Sequence, residues 1–259
     1  MKREIDNGLY DRLADTWWNA NAFLNLLEST INPWRLRYFE RVITQLEIDP
    51  HRAHALDVGC GGGILAESLA SMGFSVTGVD PSIQSLKTAR DHARKRNLSI
   101  DYQAGTGTHL QFADKSFDVV FCCDVLEHIV DWDSVIGEIG RVLPRDGLVF
   151  FDTINRTFAS KLRSIYIAQQ WKWTRFAPPD THVWEMFITP AELTESFERH
   201  GFRMGGIVGT AEKGNPISAL RLIRHYKTGR ITSAEFGRRL NMTEGPVISG
   251  SYMGHAIKL

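Results

Sequence analysis

The sequence predicts an α/β protein built on a largely parallel sheet, and three observations lead there. Short apolar runs alternate with longer amphipathic ones between residues 52 and 153, the spacing of βαβ units. The short runs are continuously apolar, as strands covered on both faces are. A glycine-rich turn, Leu56-Asp57-Val58-Gly59-Cys60-Gly61-Gly62-Gly63, joins the first such run to the amphipathic stretch after it.

Taken in order, Ala53–Val58 reads as a strand and Ile64–Met72 as a helix. Phe74–Val79, rich in β-branched residues, reads as a strand, and Ile83–Arg96 as a helix with one polar side. Ile100–Ala104 and Phe117–Cys123 read as strands, Val135–Leu143 as a helix and Leu148–Thr153 as a strand. Before this core, Pro33 opens a helix with Asn32 as its expected cap. After it, a stretch over 155–189 places Phe158, Leu162, Ile165, Tyr166, Trp173 and Phe176 near one helical face. Pro190–His200 reads as a helix, Phe202–Val208 as a strand and Gly250–Leu259 as the last strand. One domain of 259 residues follows: an N-terminal helical cover (1–50), a core (51–155), a lid insertion (156–189) and a C-terminal part of the fold (190–259).

Thirty basic residues balance thirty acidic ones, which argues against a broad nucleic-acid footprint. The three cysteines, Cys60, Cys122 and Cys123, lie in apolar or Gly-rich runs, a pattern suited to a reducing, cytoplasmic compartment rather than to a disulfide framework or a zinc site. The N-terminal residues have no apolar h-region, and no run of apolar residues is long enough to span a bilayer.

The glycine loop lets a ligand approach the backbone closely, and the helix after it offers free N–H groups. Asp57 precedes the loop, and Asp80 closes the next apolar run. An acid there can accept hydrogen bonds from both hydroxyls of a ribose. The loop is not G-x-G-x-x-G and lacks the Lys-Ser/Thr of a phosphate-binding P-loop. It resembles motif I of the class I S-adenosylmethionine (SAM)-dependent methyltransferases. Phe117-Asp118-Val119-Val120 and Leu143-Pro144-Arg145-Asp146-Gly147-Leu148 resemble two later motifs of that family, the second departing mildly from L-K-P-G-G. The resemblance implies a Rossmann-like class I methyltransferase fold, with a mostly parallel seven-stranded sheet and helices on both faces.

Further stretches narrow it. Trp17-Trp18, Ile31–Tyr38, Leu56–Leu69, Leu126-Glu127-His128-Ile129, Thr153–Arg156 and Thr181–Leu193 together resemble the ubiquinone biosynthesis O-methyltransferase family, which methylates catechol-type polyprenyl intermediates. The resemblance spans about residues 10–259 and weakens over 205–250. It implies SAM as cofactor, bound through Arg35, Gly59, Asp80 and Cys123, with Asp57 and Gly61 completing the loop. A guanidinium at Arg35 can pair with the methionine carboxylate; its plainer reading is a surface arginine on an amphipathic helix.

Asp124, Glu127 and His128 are spaced i, i+3, i+4. On one helical turn they share a face, and two carboxylates with an imidazole suit Mg²⁺. The resemblance implies a metal at this motif; the alternative is a structural Glu and His, since an L-E-H run is widespread among class I methyltransferases. His182, in the loop after Pro178-Pro179-Asp180, is a candidate general base, with His128 as a second. The basic, Trp- and Phe-bearing stretch 157–176 reads either as an interfacial helix that contacts the membrane or as a lid over the active site. The expected partner is a small molecule, prenylated as the resemblance implies, and no nucleic acid; the oligomeric state is open. Two rival functions stand: a SAM enzyme acting on another phenolic, amine or natural-product scaffold, and a non-catalytic SAM-binding subunit.

Overall fold

The computed structural model describes residues 7–212 and 216–259. The core strands are β1 (His54–Val58), β2 (Ser75–Asp80), β3 (Ile100–Ala104), β4 (Val119–Cys123) and β5 (Leu148–Ile154). The last three strands are β6 (Phe202–Glu212), β7 (Met242–Gly245) and β8 (Ser251–Lys258). They form one sheet in the order β3-β2-β1-β4-β5-β8-β6-β7. Every pairing from β3 to β5 is parallel, and every pairing from β5 to β7 is antiparallel. The sheet has eight strands where seven were expected. The extra one is β7, which pairs with the outer edge of β6 and lies in the 205–250 stretch where the resemblance fades.

The continuous apolar runs are explained by cover on both faces. All of β4 and β5 is buried. On one face lie α2 (Asn32–Gln45), α3 (Ile64–Ser71) and α4 (Ile83–Lys95), after a short α1 (Gly8–Arg12). Phe39, Leu69, Leu86, Phe121 and Phe150 fill that layer. On the other face lie α5 (Trp132–Val142) and, after a short α6 (Phe158–Ser160), α7 (Pro190–Arg199). Val135, Ile139, Phe151 and Phe197 fill that layer. Two further helices, α8 (Pro216–Lys227) and α9 (Ser233–Leu240), pack Tyr226 and Phe236 on Leu26 and Phe176.

Local chemistry fixes several boundaries. Ser82 caps α4 by accepting from the Ser85 N–H, and Thr189 and Glu192 form a reciprocal capping box on α7. Asn32 is not the cap expected of it. Wide, π-type turns over Leu27–Ile31 run directly into α2, so Asn32 already has helical dihedrals. Its side-chain oxygen instead accepts from Arg35 at 3.2 Å.

The single apolar face expected across 158–176 also divides. Phe158–Ser160 is followed by π-type turns over Lys161–Gln170, and the helix stops there. Ile165 is buried, whereas Phe158 and Trp173 are 76% and 83% exposed. Phe176, beyond the helix end, turns back onto the Tyr226 and Phe236 rings.

Candidate active site

Strand order reverses direction between β1 and β4, and ligands bind such sheets outside the carboxyl ends of the strands at that point. A cavity of about 670 Å³ opens there. Arg35, Asp57, Gly59, Gly61, Asp80 and Cys123, the six residues expected at the cofactor, all line it.

The glycine loop forms one wall. Gly59 has φ +72°, and a side chain on it would drive into Val125. Gly62 lies under the Trp17 ring so closely that a Cβ could not fit. The glycines thus serve a packing contact as well as a ligand approach. Trp17 donates from its indole to Ser85 Oγ at 3.0 Å, and Trp18 donates to the Gly62 carbonyl at 2.9 Å. Trp18 also stacks on the His92 ring, 3.5 Å between centroids. Asp11 accepts from Ser82 Oγ at 2.6 Å. Residues 7–18 therefore strap the cofactor end of the cavity. Sequence reasoning singled out Trp17-Trp18 only through resemblance and missed Tyr10 and Asp11.

Asp80 holds the loop in shape. Its two carboxylate oxygens accept from the Gly61 and Ser82 N–H groups, each at 2.8 Å. Each oxygen keeps a second lone pair for a ribose hydroxyl. Burial raises its carboxyl above the usual range, partly offset by those two hydrogen bonds. Asp57 is buried to 2% exposure, and its Oδ2 has no partner among the described residues. Burial pushes Asp57 up to about 8, against the opposing pull of Arg35.

Arg35 is no surface residue: it is 3% exposed. Its guanidinium ion-pairs with Asp124 and Asp152, and its Nη2 donates to Asp152 Oδ1 at 3.0 Å. The Asp124 N–H donates to the same Asp152 oxygen at 2.9 Å. Burial raises the Asp124 carboxyl, but the Arg35 charge outweighs it and holds the group below its ordinary value. Asp152 is pushed up to about 6 by burial, with Arg35 opposing. Sequence reasoning did not single out Asp152. Its signal was present, a lone acid in the apolar run Leu148–Ile154, since a buried carboxylate needs a partner.

The expected Asp124–Glu127–His128 helical turn does not form. Asp124 takes a left-handed conformation, φ +54°, and the 3₁₀ turn starts only at Leu126. Asp124 therefore turns to Arg35, and His182 takes its place. Glu127, His128 and His182 each bring one donor atom within 4.8 Å of the others. The two imidazole centroids are 5.2 Å apart. Glu127 is fully buried; its Oε2 accepts from Thr153 Oγ1 at 2.8 Å. Glu127 Oε1 and His128 Nδ1 are buried without a partner among the described residues. Burial holds His128 down to about 3 and His182 down to about 4, so both rings are neutral near pH 7. Burial likewise raises the Glu127 carboxyl well above its ordinary value. His128 lines the cavity beside Met186 of the lid, while His182 stands behind it. One carboxylate and two imidazoles are a poor match for Mg²⁺, which prefers oxygen donors and keeps several waters.

Comparison with known proteins agrees with this geometry. Residues 56–151 match a methyltransferase domain family. The ubiquinone biosynthesis O-methyltransferase of Coxiella burnetii (strain RSA 493 / Nine Mile phase I) is 38% identical over 200 residues, covering 77% of this chain and 82% of that protein. The protein of that name from Nitrosomonas europaea is 39% identical over 210 residues, covering 81% and 86%. Among solved structures, a SAM-dependent methyltransferase from Aquifex aeolicus superposes with a TM-score of 0.59 at 15% identity, over 99% of this chain and 100% of that one. The PH0226 protein of Pyrococcus horikoshii gives 0.58 at 20% identity, over 97% and 99%; both likenesses speak for the fold. Identity at this level across four-fifths of each relative, together with the domain match, makes the chain a SAM-dependent methyltransferase that belongs to the ubiquinone biosynthesis O-methyltransferase family.

Proposed function

We propose that the protein transfers the methyl group of SAM to a hydroxyl oxygen of a catechol-type polyprenyl quinone precursor. The observation that carries this is the reach of one cavity from Asp80, at the cofactor end, to His128 at the acceptor end. The names of the relatives supply the acceptor class. In this reading Asp80 takes the ribose and the Gly59–Gly61 turn flanks the rest of SAM. Arg35 reaches the methionine carboxylate while it remains clamped by Asp124 and Asp152. Cys123 contributes only an apolar contact, since burial raises its thiol well above the usual range.

The reaction is an in-line displacement: the methyl carbon leaves the sulfonium sulfur as its bond to oxygen forms. The phenol proton passes to a neutral imidazole, and S-adenosylhomocysteine departs. The chain aligns the two reactants, excludes water and supplies the proton acceptor. His128 faces the acceptor end, and His182 lies against it on the lid.

The lid segment supports contact with a membrane surface. Trp171, Trp173 and Phe158 are exposed, and Lys161 lies over the Trp184 ring at 4.2 Å. No helix among the described residues is long and apolar enough to cross a bilayer. A polyprenyl acceptor drawn from lipid suits an interfacial lid.

A turnover assay over short-chain prenyl catechols, unrelated phenols and amines tests the reading. Turnover confined to prenyl catechols is expected. Preference for another scaffold would move the protein to a different acceptor, and binding of SAM with no turnover on any acceptor would leave a non-catalytic subunit. Flotation with anionic vesicles tests the lid. Loss of flotation in Trp171→Ser/Trp173→Ser is expected, and wild-type protein that stays unbound would refute the membrane contact.

A further inference from the structure

The strap over residues 7–18 reaches further than the cofactor. Its Tyr10, on α1, lines the same cavity as His128, with the hydroxyl oxygen 3.4 Å from His128 Nε2. Two rings fix the tyrosine. It stacks on Trp17, with centroids 6.1 Å apart and planes 15° from parallel, and it meets the His128 ring edge-on at 5.8 Å. Its backbone is held as well, since the Tyr10 carbonyl accepts from Ser85 Oγ at 3.3 Å. Trp17 is in turn seated on Gly62 and bonded to the same serine. The hydroxyl is therefore presented by packing rather than by a flexible arm. At 3.4 Å its contact with Nε2 is longer than a well-formed hydrogen bond, and the hydroxyl rotor is free to turn to another partner. Burial raises this phenol above its ordinary value, and the carboxylates of Glu127, Asp124 and Asp80 push it the same way. It is a neutral group that donates one hydrogen bond and accepts others. Ile129, Val130 and Met186 line that end of the cavity and offer no side-chain oxygen or nitrogen. Asp124 is turned to Arg35.

We infer that Tyr10 is a specificity-determining residue: its hydroxyl binds the oxygen next to the one that is methylated, and so selects a catechol over a monophenol. The inference rests on the methyl-transfer reading, in which the reacting hydroxyl gives its proton to His128. Adjacent oxygens on one aromatic ring stand about a hydrogen-bond length apart. That spacing suits the 3.4 Å between Nε2 and the Tyr10 oxygen. One acceptor oxygen can meet the imidazole while its neighbour meets the phenol. A monophenol with its hydroxyl on His128 leaves the Tyr10 hydroxyl covered and unpaired. A polar group stranded in this way discriminates against the compound that lacks its partner.

The test compares the wild type with Tyr10→Phe, which keeps the ring between Trp17 and His128 and removes only the oxygen. Two acceptors are used, a short-chain prenyl catechol and the prenyl phenol that lacks the neighbouring hydroxyl. The ratio of kcat/KM for the catechol to that for the monophenol is expected to fall about fivefold to tenfold, with the loss on the catechol. SAM affinity and far-UV circular dichroism check that the variant is folded. Equal losses on both acceptors would overturn the inference by reducing Tyr10 to packing, as would no loss on either. A gain on the catechol would also overturn it, because the hydroxyl would then be obstructing His128. Binding of the same two compounds to the protein loaded with S-adenosylhomocysteine is read by calorimetry, without turnover. Tighter binding of the catechol by the wild type is expected, with that preference reduced in Tyr10→Phe; equal binding of the two compounds by the wild type would overturn the inference. A wild type that methylates neither compound but binds the catechol selectively through Tyr10 would sink the methyl-transfer reading and keep the subsite. Turnover with the same preference in both proteins would do the reverse.

Discussion

Replacing Asp57 by Asn should stabilise the SAM-free protein, and by an amount that grows with pH. Asp57 is buried at the end of β1, with one carboxylate oxygen unpartnered among the described residues. Its folded-state value is raised from 3.8 to about 8. A raised value means that the folded state prefers the protonated acid. Below 3.8 the residue costs nothing, because folded and unfolded chains both hold the proton. Between there and about 8 the unfolded chain ionises first, and stability is lost as pH rises. At roughly 1.4 kcal/mol per pKa unit, about three units of unrealised ionisation at pH 7 set a ceiling near 4 kcal/mol. Water in the open cavity screens part of this, so a gain of about 2 kcal/mol is expected at pH 7. For a chain of this size that is a rise in melting temperature of about 4–8 °C. Asn keeps an acceptor for the Ala66 N–H, the backbone partner of the carboxylate, and brings no charge. Urea unfolding of wild type and Asp57→Asn at pH 5 and pH 8, without SAM, measures the difference. A gain equal at the two pH values, or a loss at pH 8, would refute the assignment of the cost to a buried charge. The same variant should bind SAM more weakly, because the cationic cofactor is what would restore the carboxylate's charge; isothermal titration reads this directly.

Three other perturbations follow from the same geometry. Arg35→Met leaves the buried Asp152 and the half-buried Asp124 without their cation and should cost about 3 kcal/mol in urea unfolding, most of it at Asp152. It should also weaken SAM binding, and unchanged stability would mean that the ion pairs do not hold in solution. Gly62→Ala thrusts a methyl into the Trp17 ring and should cost about 1–3 kcal/mol by overpacking. Trp17→Ala should remove most of that penalty in a double-mutant cycle, and additive losses would mean that the strap does not sit on the loop. Phe121→Ala empties a fully buried position between Phe39, Phe74 and Phe150 and should cost about 3–5 kcal/mol; thermal unfolding checks it.

How much of this the sequence carried depends on the range of the interaction. The central strands β4 and β5 were legible because nearly the whole run is apolar, as burial on both faces demands, whereas β3, at the sheet edge, is only partly buried and owed its reading to its place in the strand–helix alternation. The glycine loop and Asp80 were legible because turn and acid occupy fixed positions on consecutive βα units. Asn32 misled because capping chemistry is local, while the wide turns that carry helix into it are set by packing further upstream. Asp124 misled for a related reason: i, i+3, i+4 spacing implies a shared face only on a continuous helix, and its left-handed backbone breaks that assumption. The partner of His128 was out of reach, since 54 residues of chain separate it from His182. Likewise Asp152 meets Arg35 only because the sheet and α2 bring them together. The helices and edge strand of the 205–250 stretch carry no recognisable motif, and the amphipathic pattern of α9 does not by itself say what that helix packs on.

The place of β8 has a consequence for how the chain is made. It follows the other seven strands of the sheet along the chain and so is synthesised after them, yet it lies inside the sheet, with β5 on one side and β6 on the other. Until it emerges, β5 presents the bare edge of Leu148–Ile154, and the antiparallel β6–β7 pair has no sheet to join. Such an unpaired, apolar edge is a template for association between nascent chains. The parallel half, which carries the glycine loop, Asp57 and Asp80, can form earlier and receive the cofactor first. A ligand that arrives at that stage would hold the unfinished molecule in register while its final strand closes the gap.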